Sequence, residues 1–246
     1  MDDTLPPERR RDRFKAFFKK AVTVPLSVRT SDLPKRAASA LVMVAIAGTA
    51  LWAGGIVWQS FVAVVAIVGL FELLRIARRF GAGAGGAALI MVLGALYIGW
   101  AAYRLGELPL SVVLGVVAIV IATDTGAYFS GRAIGGPKIA PRISPSKTWA
   151  GLAGGATAAA LVSFAFFLSN VGSDAFSPMG LGALALGALL AVVAQMGDFL
   201  ESWLKRRAAV KDSGNIIPGH GGVLDRVDGL LPVAIVSAEL WYRVHP

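Results

Sequence analysis

The chain has 246 residues, of which 56% are hydrophobic and only 16% charged, with a net charge of +9. A soluble domain of this length carries roughly 25% charged residues, so the composition excludes an ordinary soluble globular protein and points to a polytopic membrane protein. Cysteine is absent, which excludes disulfides and thiolate metal sites.

Residues 1–36 form a basic arm. Its charged region is too long for a secretory signal peptide, and no small-residue cleavage site follows it. Within it, Phe14, Phe17 and Phe18 alternate with Lys15, Lys19 and Lys20. That pattern fits an amphipathic segment on an anionic membrane face or, equally, a disordered basic tail. Apolar segments follow near residues 37–53, 56–74, 86–103, 108–130, 148–169, 179–200 and 229–244, about seven expected transmembrane helices. The fold class is all-α, because long unbroken apolar runs lack the alternation of a membrane barrel. Gly54-Gly55 joins the first two segments so tightly that a re-entrant hairpin is a second reading. Residues 37–107 make an N-terminal group of helices, and residues 108–246 hold the polar chemistry.

Basic residues fall on alternate connections. Lys35 and Arg36 precede the first span, Arg75, Arg78 and Arg79 follow the second, and Arg132, Lys138, Arg142 and Lys147 follow the fourth. Lys205, Arg206, Arg207, Lys211 and Arg226 follow the sixth. The positive-inside rule places these connections and the N-terminus in the cytoplasm. In this setting the positive charge serves topology and anionic lipid, and no nucleic-acid partner is expected. Glu72 and Glu239 lie near span ends, where snorkelling or pairing with Arg75 and Arg243 is expected.

Two of the cytoplasmic connections are rich in Gly and Pro, residues 131–147 and 201–228. Sharp bends expose N–H groups, and with Lys and Arg they form anion cradles. A phosphate-bearing ligand such as a nucleotide fits. Asp225 and Asp228 stand three apart, and paired carboxylates suit Mg²⁺ with substrate phosphates; the ordinary alternative is a helix-capping Asp225 and a solvated Asp228. Asp124 and Asp198 lie within spans, where acidic residues are expensive and therefore functional candidates. Lys205, Arg206 and Lys211 lie close by in sequence. His220 sits among Gly219, Gly221 and Gly222, which allow close backbone approach to a ligand. Ser144, Ser146, Lys147 and Thr148 precede a helix, as an anion site or as ordinary caps.

The run from Ser202 to Asp228, S-W-L-K-R-(four residues)-K-D-S-G-N-I-I-P-G-H-G-G-V-L-D-R-V-D, closely resembles the diagnostic motif of the phosphatidate cytidylyltransferases. Its fixed positions fall on Ser202, Lys205, Arg206, Lys211, Asp212, Pro218, His220, Gly221, Gly222, Asp225, Arg226 and Asp228. The blocks from Asp124 to Arg132 and from Ala140 to Gly151, together with G-D-F-L-E-S, are similar to the same family. The likeness starts near Ile121. Ala150 and Arg207 depart from the family, which often has acidic residues there; neither is assigned to metal binding. The resemblance implies transfer of the cytidylyl group of CTP to phosphatidate, giving CDP-diacylglycerol and pyrophosphate. It also implies a Mg²⁺ requirement, a monovalent cation such as K⁺ beside it, a homodimer, contact with membrane lipid, and an inner (plasma) membrane location with the active site facing the cytoplasm. On this reading Asp198, Asp225 and Asp228 hold the metal, and Asp124 supports it or takes a second cation. Lys205, Arg206, Lys211 and Arg226 hold phosphates, with Ser202, Asp212, His220, Gly221 and Gly222 lining the substrate site. Ser144, Lys147 and Thr148 supply a phosphate contact from the facing loop.

Two other classes stay open on sequence alone. One is a different CTP-using membrane enzyme, such as a prenol kinase. The other is a transporter with Asp124 and Asp198 on an ion path, disfavoured because the polar residues cluster in loops rather than on paired broken helices.

Overall fold

A computed structural model describes residues 33–217 and 221–245. The N-terminal arm before residue 33 and His220 lie outside the described residues. Among the described residues, five helices are long and apolar enough to cross a membrane: α2 (Gly55–Arg79), α3 (Gly83–Glu107), α4 (Leu110–Ala133), α5 (Trp149–Val171) and α6 (Pro178–Arg207). The first expected span appears as α1 (Leu33–Ala53), apolar over Ala37–Ala53. The last appears as α8 (Leu230–Val244), only 15 residues long. A single turn, α7 (Leu224–Val227), precedes it. The all-α expectation needs one amendment. In the connection after α4, β1 (Lys138–Ala140) pairs antiparallel with β2 (Ser144–Thr148), because Pro141 and Arg142 turn the chain back on itself.

The helices pack through small residues, as lipid-embedded helices must when apolar burial gives little drive between them. The α4–α5 seam shows this most clearly. A Cβ on Gly126 would lie 2.6 Å from the Gly154 carbonyl oxygen, and one on Gly155 would lie 2.7 Å from that of Thr123. Close backbones here fix the direction in which Asp124 leaves α4. The core runs along the middle of the bundle, where Val113 of α4 meets Ala234 and Ala238 of α8, all fully buried.

Polar side chains fasten the two ends of the bundle. At one end, Trp58 Nε1 donates to the Leu105 carbonyl at 3.2 Å, and Gln59 Nε2 donates to Glu107 at 3.0 Å. Nearby, Arg104 Nε donates to Glu239 at 2.9 Å, so Glu239 pairs with a neighbouring helix rather than with Arg243 as expected. The reach from α8 to α3 is short, and Arg104 is the less exposed of the two bases. At the other end the connections after α2, α4 and α6 meet. Arg206 Nε donates to the Ile143 carbonyl at 3.2 Å, joining the two Gly- and Pro-rich loops. The basic connections therefore share one end of the bundle, as their alternation predicts.

Candidate active site between a polar cleft and an apolar cavity

The site is built around the last three turns of α6. Gly197 is there because no side chain fits: a Cβ would strike the Asp228 carbonyl and the ring of Pro232. This close approach sets the chain of residues 228–232 directly against α6. One residue on, Asp198 forms an ion pair with Lys147 of β2. Ser202 Oγ donates to Asp198 Oδ1 at 3.1 Å, and Lys147 Nζ donates to Gln195 Oε1 at 2.7 Å. The Lys147 ammonium also lies 4.9 Å from the centroid of the Phe199 ring. Three side chains of α6, Gln195, Asp198 and Phe199, thus converge on a single lysine of β2.

Lys147 and Asp198 line a polar cleft of about 410 Å³, with Asp124, Arg132, Lys138 and Ser146 on its walls. Cations from the hairpin face carboxylates from α4 and α6. Thr148 closes the cleft from below, and its Oγ accepts from Gly151 N at 3.0 Å. Of the two roles open to Thr148, the helix cap is the one its hydroxyl performs. Ser144 is buried at the start of β2. Arg206, Lys211 and Asp212 are exposed, and Arg226 is exposed on α7.

On the other side of Gly197 lies an apolar cavity of about 580 Å³ between α3 and α6. Leu89, Leu93, Tyr97, Leu200 and Trp203 line it, and Glu201 and Asp228 stand at its polar edge.

Asp225 and Asp228 behave differently although only three residues separate them. Asp225 Oδ1 accepts from Lys205 Nζ at 2.6 Å, and its Oδ2 accepts from Ser213 N at 2.9 Å and Gly222 N at 2.8 Å. Burial by itself would raise this carboxyl, but Lys205 and the two N–H groups outweigh it and hold Asp225 below the ordinary carboxylate range. Gly221, at φ 82°, gives the loop the left-handed turn that brings Gly222 N onto Asp225. At Asp228 the balance differs, because Lys205 only partly offsets the opposing influences. Burial first, and then the Asp198 carboxylate, push its carboxyl up to about 6. Lys205 also donates to Glu201 Oε2 at 2.8 Å, while Glu201 Oε1 is buried with no hydrogen-bond partner.

This donor set fits a hard divalent cation. Asp228 lies against Glu201 and within electrostatic reach of Asp198, and one buried Glu201 oxygen lacks a donor. Among the described residues no group of three or more Asp, Glu or His side chains could hold an ion unaided. That suits Mg²⁺, which takes one or two carboxylates and completes its shell with water and substrate phosphates.

Sequence reasoning missed Gln195, Glu201 and Ser213. Gln195 and Glu201 were open to discovery as polar residues inside an apolar span. Ser213 carried no signal, because its role depends on Glu72, far away in sequence. Glu72 is corrected outright: it does not pair with Arg75 but is buried within the bundle, receiving hydrogen bonds from the 213–224 segment.

The sequence profile of a family described as the cytidylyltransferase family matches residues 83–243, well over half of the chain and both walls of this site. The chain belongs to the cytidylyltransferase family. Several relatives carry the name phosphatidate cytidylyltransferase. One from Brucella suis biovar 1 (strain 1330) is 48% identical over 147 residues, covering 57% of this chain and 53% of the relative. One from Bacillus subtilis (strain 168) is 41% identical over 148 residues, with the same two coverages of 57% and 53%. One from Pseudomonas aeruginosa is 36% identical over 165 residues, 67% of this chain and 58% of the relative. The chain spans about half the length of the curated relatives it matches.

Proposed function

We propose that the protein transfers the cytidylyl group of CTP to phosphatidate, giving CDP-diacylglycerol and pyrophosphate. The observation that carries this reading is the place of Gly197 and Asp198, between a cation-lined polar cleft and an apolar cavity. A nucleotide suits one side and acyl chains suit the other, so a lipid phosphate and a triphosphate meet at Asp198. The names of the relatives state the same activity for those proteins.

Phosphatidate brings its own nucleophile, so no activated side chain is required. A phosphate oxygen of the lipid attacks the α-phosphorus of CTP. The new P–O bond forms as the bond to the oxygen bridging the α- and β-phosphates breaks, and pyrophosphate leaves with the electron pair. The protein's task is positioning and charge neutralisation. Lys147, Lys138 and Arg132 hold the triphosphate in the cleft. Asp198 and Ser202 set the direction of Lys147. Asp198 and Asp228 would hold Mg²⁺, which when bound would neutralise charge on the reacting phosphates. Asp124, on the cleft wall, supports that site or takes a monovalent cation such as K⁺. Asp225, expected as a further ligand, is in this reading the partner that orients Lys205. Lys205, placed between Asp225 and Glu201, faces the lipid phosphate. The convergence of the basic connections at one bundle end supports seven spans with the N-terminus and the active site on the cytoplasmic face of the inner (plasma) membrane. The homodimer belongs to the same proposal and is read from the resemblance alone.

The test is product analysis. Purified protein with CTP, phosphatidate and Mg²⁺ yields CDP-diacylglycerol and pyrophosphate in equal amounts, and chelation of Mg²⁺ stops both. A phosphorylated lipid with release of CDP, or no lipid product, overturns the reading.

A further inference from the structure

The family match begins at residue 83, yet a buried carboxylate that accepts three hydrogen bonds lies before it, on α2. Glu72 is 2% exposed. Its Oε2 accepts from Ser213 Oγ at 2.9 Å and from Leu224 N at 2.8 Å, and its Oε1 accepts from Val223 N at 3.0 Å. A buried carboxylate in a membrane bundle is costly unless its oxygens are saturated in this way. Two glycines make room for it. A Cβ at Gly214 or at Gly222 would collide with the Glu72 carboxylate.

The donors are informative. Val223 N and Leu224 N are N–H groups at the start of α7, the turn that carries Asp225. Ser213 holds Glu72 through its hydroxyl and Asp225 through its backbone N–H. Gly222 packs on Glu72 and donates its N–H to Asp225 at 2.8 Å. Every element that aims Asp225 at Lys205 is therefore also fastened to Glu72. Ser213 and Gly222 are clamped between a carboxylate from α2 on one side and Asp225 on the other.

We infer that Glu72 is a positioning residue for the reaction: it anchors Ser213 and the start of α7 so that Asp225 and Lys205 are held in register with the site. The inference rests on the activity proposed above. It makes α2 a part of the active site rather than a passive membrane span, although Glu72 touches neither substrate.

The test compares wild-type protein with Glu72→Gln, Glu72→Asp and Ser213→Ala in detergent. Glu72→Gln keeps the shape but presents an amide N–H where donors converge. Its kcat is expected to fall about tenfold or more while the KM values for CTP and phosphatidate stay within about twofold, the pattern of lost transition-state positioning rather than lost binding. Hydrogen exchange in the 213–224 segment is expected to speed up about tenfold with little change in α4 and α5. Glu72→Asp, which keeps the charge, recovers part of both, and Ser213→Ala shows a weaker version of the same pattern. Wild-type kcat together with unchanged exchange in Glu72→Gln overturns the inference. So does a kcat loss that disappears when activity is expressed per folded molecule. Where wild-type protein forms no CDP-diacylglycerol, the proposed activity fails, and the exchange comparison still decides whether Glu72 anchors the segment.

Discussion

The polar cleft and the apolar cavity lie on opposite sides of one residue pair, Gly197 and Asp198, and they are built in opposite ways. The cleft draws its cations from a two-stranded hairpin and the last turn of α4, and its carboxylates from α4 and α6. The cavity is walled by leucines and aromatic rings of α3 and α6, with Glu201 and Asp228 at its rim. The difference teaches how one helix can separate two unlike compartments; on the proposed reading each suits its own substrate, and only the reacting phosphates share the boundary. Mutations on the two sides should therefore separate kinetically.

The largest effect is expected at the boundary itself. Asp198→Asn removes the partner of Lys147 and a candidate cation ligand together, and kcat/KM should fall by about 10³-fold, the scale of losing a central electrostatic group. Initial rates at saturating Mg²⁺ check this. Asp225→Asn leaves Lys205 with Glu201 alone, and a loss of about 10²-fold in kcat is expected, with membrane yield near that of the wild type. On the cleft side, Lys147→Ala should raise the KM for CTP about tenfold and leave the KM for phosphatidate unchanged, since one charged hydrogen bond to phosphate is lost. Equal shifts in both KM values would erase the distinction between the compartments.

Acid should act at the boundary too. With the Asp228 carboxyl raised to about 6, its neutral form takes over below that pH, where an ordinary carboxyl would still be charged. A cation needs the charged form, so apparent Mg²⁺ affinity should fall about tenfold per pH unit below 6. A titration of activity against Mg²⁺ at pH 5, 6 and 7 reads this. The smallest effect is expected in the cavity: Leu93→Trp fills part of it and should raise the KM for phosphatidate about fivefold with the KM for CTP unchanged.

Much of this site was legible in the chain. The Ser202–Asp228 motif, the intramembrane Asp124 and Asp198, and the 144–148 stretch all border the two compartments or hold the groups that do. Local chemistry made them visible: carboxylates in apolar spans, and glycines next to charges. What sequence could not reveal depends on distant pairing. Asp225 and Asp228 look alike in D-R-V-D, and only the fold makes them opposites, through Lys205 and two N–H groups at Asp225 and through burial and Asp198 at Asp228. Glu72 reads as an ordinary acidic residue near three arginines until the fold brings residues 213–224 against it. The hairpin at 138–148 escaped because Pro and Gly suggest a loop equally well. The last helix, at 15 residues, shows that an apolar run fixes hydrophobicity better than it fixes length.

The most direct test of the central claim follows the α-phosphate. Purified protein is given phosphatidate, Mg²⁺ and CTP radiolabelled at either the α- or the γ-phosphate. The account predicts that α-label appears in the lipid as CDP-diacylglycerol and that γ-label leaves as pyrophosphate. Label from the γ-phosphate in the lipid, or no label in the lipid from either position, would contradict it.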